Sequence, residues 1–195
     1  MPRRKSFSLD DAAGVVAGLY LQRSCTALTM QEVADALNLS RATVYHTWGS
    51  KAGLFAAVLD RYGPARAPGL NEVRTAAAPR AALVRLFERA GSVAREPCLI
   101  IDTMVKSGDR GPEIGRLVEA AALNLEKDLG DAVGRGQAAG EIAPGVDPAR
   151  TGHALLALYL GLYVLMRSGT AGEPVLRAVV RQVEALLPAP APARH

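Results

Sequence analysis

The sequence holds only two cysteines in 195 residues, Cys25 and Cys98. They lie far apart without metal-type spacing, which argues against a disulfide framework or a thiolate metal centre and fits a chain kept reduced in the cytoplasm. Long apolar runs are also missing. The most apolar stretch, Ala154 to Met166 between His153 and Arg167, falls short of the ~20 residues that a membrane-spanning helix needs; it reads as a buried helix, and no membrane association is expected. Met1 to Lys5 is basic but leads into Ser-Phe-Ser-Leu-Asp-Asp, without the apolar segment or cleavage pattern of a signal peptide. No period-2 strand pattern, internal repeat or glycine-rich phosphate loop occurs. The three histidines, His46, His153 and His195, are too scattered for a metal site. No His-Glu-x-x-His, nucleophile elbow or compact acid/base constellation is present. The expectation is therefore a chain that is not an enzyme and takes no cofactor.

What remains is a globular composition, 49% apolar and 22% charged, in a chain long enough to bury a substantial core. A net charge of +4 and a pI near 9.3 are compatible with a polyanionic partner but are mild. The first sixty residues carry six basic side chains (Arg3, Arg4, Lys5, Arg23, Arg41, Lys51) against five acidic ones (Asp10, Asp11, Glu32, Asp35, Asp60). Any role for the positive residues must come from position, not number.

The most informative stretch is Leu28 to Leu54, LTMQEVADALNLSRATVYHTWGSKAGL. Thr29 and Glu32 have the spacing of a capping box, with Leu28 and Val33 placed for a hydrophobic staple, so a helix should begin at about Met30. Val33, Ala34 and Leu37 share its inner face, and the small Ala34 permits close approach of a second helix. Asn38 sits where the chain must turn, and Asn tolerates the left-handed conformation best after glycine. After Asn38-Leu39-Ser40, Ser40 can cap a second, short helix. Leu39, Val44 and Trp48 should point inward, leaving Arg41, Ala42, Thr43, Tyr45 and His46 outside. That outer set suits DNA: Arg41 can donate to guanine or phosphate, Ala42 and Thr43 can approach base edges or a thymine methyl, and Thr43 and Tyr45 can donate to phosphate. His46 either contacts DNA at the helix end or is solvated. Ser50 and Lys51 open a further helix, whose amides and ammonium suit a phosphate.

TMQEVADALNLSRATVYHTWGSKAGL resembles the N-terminal signature of the tetracycline-repressor (TetR/AcrR-like) family of bacterial transcriptional regulators. The hallmarks are the Thr-capped helix, Ala34 four residues before the turn, Ser40 opening the next helix, and Tyr45, Trp48, Ser50, Lys51 and Leu54 in the family's spacing. Asn38 replaces a usual Gly, Trp48 a usual Phe, and Ala52-Gly53 an acidic residue and Ala. Gly53 in the first turn of a helix costs roughly 1 kcal/mol against Ala. The resemblance implies that Thr29, Ser40, Arg41, Ala42, Thr43, Tyr45, His46 and Lys51 serve DNA binding.

Helical periodicity runs through the rest. Ser8 with Asp11 opens a first helix, with Leu9, Ala12, Ala13, Val16, Leu19 and Tyr20 inward, to about Arg23. Met1 to Ser6, with Arg3, Arg4 and Lys5, is either a DNA-reaching arm or a solvated tail. The helix from Lys51 should end at Gly63-Pro64, and Pro64, Pro68 and Gly69 mark a linker. Further helices are predicted over 79–94, 98–107, from Pro112 to near Gly136–Gly140, over 148–168 and over 174–187. The expected fold is all-α, about nine helices. A three-helix DNA-binding domain occupies 1–62, an effector-binding and dimerisation domain 63–187, and a Pro/Ala-rich disordered tail 188–195.

The family resemblance implies a homodimer built on the last two helices, with Ala154, Ala157, Gly161, Val179 and Val183 at the interface. It also implies a pocket in the middle helices for a small hydrophobic or aromatic effector. Candidate lining residues are Phe87, Cys98, Ile101, Asp102, Met104, Val105, Leu117, Ala121, Asn124, Tyr159, Tyr163 and Met166. Each is otherwise a core or interface residue, and Asp102 and Asn124 carry information only if buried. Pro97-Cys98-Leu99-Ile100-Ile101-Asp102 resembles the Gly-Cys-Leu-aliphatic-aliphatic-Asn segment of one branch of the family, so Cys98 is either an electrophile or oxidant sensor or a small buried hydrophobe. The implied function is a ligand-responsive regulator, a repressor in most of the family, that binds double-stranded operator DNA. An all-α enzyme and a co-regulator working through protein contacts are the alternatives.

Overall fold

The structure is a computed structural model that describes residues 8–23, 27–66, 68–93, 99–105 and 111–191, with all side chains except those of 62–66, 68, 91–93 and 105. The described residues form ten helices and no strand: α1 (Leu9–Gln22), α2 (Met30–Leu37), α3 (Arg41–Trp48), α4 (Lys51–Arg66), α5 (Pro68–Thr75), α6 (Pro79–Val93), α7 (Leu99–Val105), α8 (Pro112–Ala138), α9 (Pro148–Arg167) and α10 (Glu173–Leu186). The chain divides into two compact units, Met1–Arg66 with Pro97–Glu119, and Ala67–Glu96 with Ala120–His195.

In the first unit, α1 to α4 close around Val16, Ala17, Leu28, Val33, Ala34, Val44, Leu54, Phe55 and Val58, and Leu99, Ile114 and Val118 join the same core from later in the sequence. Tyr20 meets Phe55 edge to face, 5.3 Å between centroids, an arrangement favoured by the ring quadrupoles. Leu9, assigned above to the inner face of α1, is 42% exposed, standing at the rim of a hollow that Trp48, Leu54 and Val58 also line.

The second unit packs α5, α6, α9, α10 and the later turns of α8 around Val73, Leu83, Phe87, Leu129, Ala132, Leu155, Leu162 and Leu187. An added Cβ at Gly152 would lie 2.8 Å from the Gly130 nitrogen, so α8 and α9 cross backbone against backbone, which only glycine permits. Glu72 on α5 binds Arg85 at 2.7 Å and Arg89 at 2.6 Å on α6. The hydrogen bond from Arg85, followed by the positive charge of both arginines, holds its carboxyl below the ordinary range against some desolvation. Arg80 ties the start of α6 to two distant segments, its backbone N–H donating to Glu141 and its Nε to the Leu187 carbonyl.

Two expectations change here. α4 runs through Gly63-Pro64 to Arg66, because one proline removes a single backbone hydrogen bond and need not end a helix held by packing. Pro68 and Gly69, read as linker, begin α5: proline is well suited to the first position of a helix, where its missing N–H is not needed. This additional helix raises the count from nine to ten. α9 is also longer than its apolar run, because the Asp147 carboxylate accepts from the N–H groups of Ala149 and Arg150 and starts the helix six residues before Ala154. It is 20 residues long, and its most apolar 18-residue window, of mean hydropathy 1.2, suffices by length and composition to cross a membrane, with a third of that window buried within the chain. Core helices of water-soluble folds meet the same description. The predicted N-terminal arm, Cys25, Cys98 and the last four residues lie outside the described residues.

Candidate nucleic-acid interface

The pair α2–α3 is built by its caps. Thr29 Oγ1 accepts from the Glu32 N–H while the Glu32 carboxylate accepts from the Thr29 N–H at 2.8 Å and from its hydroxyl at 2.9 Å, closing the capping box. The backbone bond from Thr29, then its hydroxyl, hold the Glu32 carboxyl below its ordinary range; Arg23, which pairs with it, acts in the same direction more weakly. Asn38 takes the left-handed conformation (φ 53°, ψ 45°), its N–H returning to α2. The chain then re-enters a helix at Ser40, whose side chain accepts from the Thr43 N–H at 3.0 Å.

This geometry fixes which side of α3 faces out. Val44 is fully buried, with Leu39 and Trp48 packed partly over the same core. Arg41, Ala42, Thr43, Tyr45, His46 and Thr47 are all exposed. Ser40 and Thr43 hydroxyls are 2.8 Å apart, and Thr47 donates to the Thr43 carbonyl at 2.8 Å. The Arg41 guanidinium lies over the Tyr45 ring, 5.4 Å from its centroid. Lys51 is half-buried at the first position of α4, next to Ser50, whose hydroxyl accepts from the Gly53 N–H at 3.0 Å. Thr29 serves differently from the others: its single hydroxyl hydrogen is directed at Glu32, so it holds α2 in place rather than reaching outward. Thr47, absent from the sequence-based set, joins the face; its spacing of four from Thr43 was the available signal.

The candidate pocket residues fall in both units. Ile101 and Asp102 are buried in the first unit and Met104 and Leu117 pack at the edge of its core. Phe87 is buried in the second unit, edge to face with half-buried Tyr159 at 5.9 Å, and Met166 packs nearby on the same core. Tyr163 is buried and Ala121 half-buried, whereas Asn124 is exposed and so carries no information about a pocket. Cys98 and the Val105 side chain lie outside the described residues. Of the candidate dimer residues, Ala157 and Gly161 are exposed and Ala154 and Val179 half-buried, but Val183 is fully enclosed by its own chain and has no surface to offer a second copy. No group of His, Cys, Asp and Glu suited to a metal ion occurs among the described residues.

Among the described residues, a short, outward-facing helix presented on a capped helix pair, with no strand, is the architecture of the helix-turn-helix class of DNA-binding proteins. Residues 17–58 match the family described as bacterial regulatory proteins, tetR family, and residues 79–182 match the tetracyclin repressor-like C-terminal domain. The chain belongs to the TetR family. It is 31% identical over 166 residues to the HTH-type transcriptional regulator BetI of Rhizobium meliloti (strain 1021), covering 83% of this chain and 76% of that one. Over 183 residues it is 23% identical to the HTH-type transcriptional repressor ComR of Escherichia coli (strain K12), covering 90% and 87%. Among solved structures, its fold is similar to that of E. coli NemR in its reduced form (TM-score 0.80, 18% identity, 94% of this chain and 100% of that one). It is also similar to a cysteine mutant of the TetR family regulator CifR complexed with 26bp double-strand operator DNA (TM-score 0.76, 20% identity, 94% and 99%).

Proposed function

We propose that the protein is a cytoplasmic, ligand-responsive repressor that binds a pseudo-palindromic operator as a homodimer and is released by a small hydrophobic or aromatic effector. DNA recognition is assigned to residues 1–62, with Arg41, Ala42, Thr43, Tyr45 and His46 facing the major groove, Lys51 clamping phosphate, and Thr29 and Ser40 holding the two helices. Effector binding and dimerisation are assigned to 63–187. The observation that carries the reading is the division of α3, with Val44 fully buried and six consecutive or near-consecutive residues exposed around it. Two copies related by a two-fold axis would place two such helices in successive major grooves, ~34–36 Å apart. The apolar yet exposed surface of α9, including Ala157, Gly161 and Leu165 at 43% exposure, supports pairing. Release requires an effector that binds the free conformation more tightly than the DNA-bound one; a coupling of ~1–3 kcal/mol changes operator affinity ~5–150-fold.

The test is a salt titration of binding to the DNA upstream of the protein's own gene and to a scrambled duplex of equal length. Tight binding confined to the upstream fragment is the expected result. Lys51→Ala should weaken binding on every sequence and lower the salt slope by about 1. Equal binding to both fragments, with no operator recovered from genome-wide selection, counts against the reading.

A further inference from the structure

Arg41 and Tyr45 stand one turn apart on the exposed face of α3, with the guanidinium over the ring. The attraction between the cation and the ring face favours this placement. The guanidinium carries five N–H donors along the edges of a planar fork. α3 carries no acidic residue, and among the described residues no ion pair with a carboxylate occupies Arg41. The flanking hydroxyls are engaged with Ser40 and with the Thr43 carbonyl. Ala42 beside it is exposed and has too little side chain to obstruct approach. The buried Val44 fixes the helix beneath. A long, exposed arginine thereby stands beside the Tyr45 ring on the outward side of α3 before any DNA arrives.

Resting on the reading of α3 as the recognition helix, we propose that Arg41 reads a guanine in each half-site through two in-plane N–H groups on O6 and N7, and that Tyr45 is the positioning residue that holds this fork by its ring face. A phosphate can be bound by lysine as a point charge, with the position of the contact loosely defined. Guanine O6 and N7 accept from lysine too, but only arginine presents two donors fixed in one plane, which sharpens the preference.

Selection of bound duplexes from a random pool, with the full chain and its R41K, Y45F and Y45L variants, separates the two. Far-UV circular dichroism and the unfolding midpoint of each variant verify that the fold is kept. The wild type should enrich a two-fold motif with a guanine in each half. Arg41→Lys should lose about 10- to 100-fold of the preference for that guanine while its salt slope stays unchanged, because the charge is retained. Tyr45→Phe should keep the preference, since the ring remains, and Tyr45→Leu should lose it. An unchanged guanine preference in Arg41→Lys or Tyr45→Leu overturns the proposal while leaving the regulator reading intact. Failure of the wild type to enrich any motif overturns both.

Discussion

A methyl group at position 53 would stand 2.1 Å from the carbonyl oxygen of Trp48, and that contact reverses what helix propensity alone implies. Propensity favours Ala over Gly by roughly 1 kcal/mol. Here the added carbon meets backbone, which cannot swing aside as a side chain can. Gly53→Ala is therefore expected to destabilise the protein by about 1–3 kcal/mol, in the range of other overpacked sites, read as a lower urea midpoint. A midpoint raised by the propensity gain would mean that the turn between α3 and α4 relaxes freely. Such contacts are invisible in sequence because the partner atom belongs to a neighbouring turn whose path is not yet known. Val183, read as an interface residue but fully enclosed by its own chain, is misplaced for a related reason. Periodicity tells that one side of a helix is apolar, but not whether its own chain or a second copy covers it.

Local chemistry was far more legible at the level of whole helices. Ser8, Thr29, Ser40 and Asp147 all cap the helices assigned to them, and Asn38 adopts the left-handed turn, because donor and acceptor lie within three residues of each other. The elements that escaped, α5 and the last turn of α4, both involve prolines whose effect depends on tertiary packing. The α2 cap also predicts a pH dependence. Glu32 has its carboxyl lowered in the folded protein, chiefly by the Thr29 hydrogen bonds. Its contribution is thus fully present above its ordinary value of 4.5 and is lost as pH falls through the lowered value in the fold. Glu32→Gln should lower the unfolding midpoint at neutral pH, and the gap to wild type should narrow as the solution is acidified. A gap constant across that window would show that the charge of Glu32 does not contribute.

Helix α9 leaves an apolar strip with Ala157, Gly161 and Leu165 exposed. Under the homodimer reading, Ala157→Asp together with Gly161→Asp should yield monomers in sedimentation and weaken operator binding strongly, with helical content retained. Dimers persisting in the double variant would place the interface elsewhere. The core of the first unit carries a different consequence. Leu99, Ile114 and Val118 complete the packing around Phe55 and Val58, so the portion that recognises DNA is contiguous in function but not in the chain that stabilises it. A graft cut at residue 62 would leave behind the side chains that close its base. Exchanging operator specificity between relatives therefore calls for transplanting residues 97–119 along with the head, or for altering only the outward face of α3 and leaving its foundations untouched.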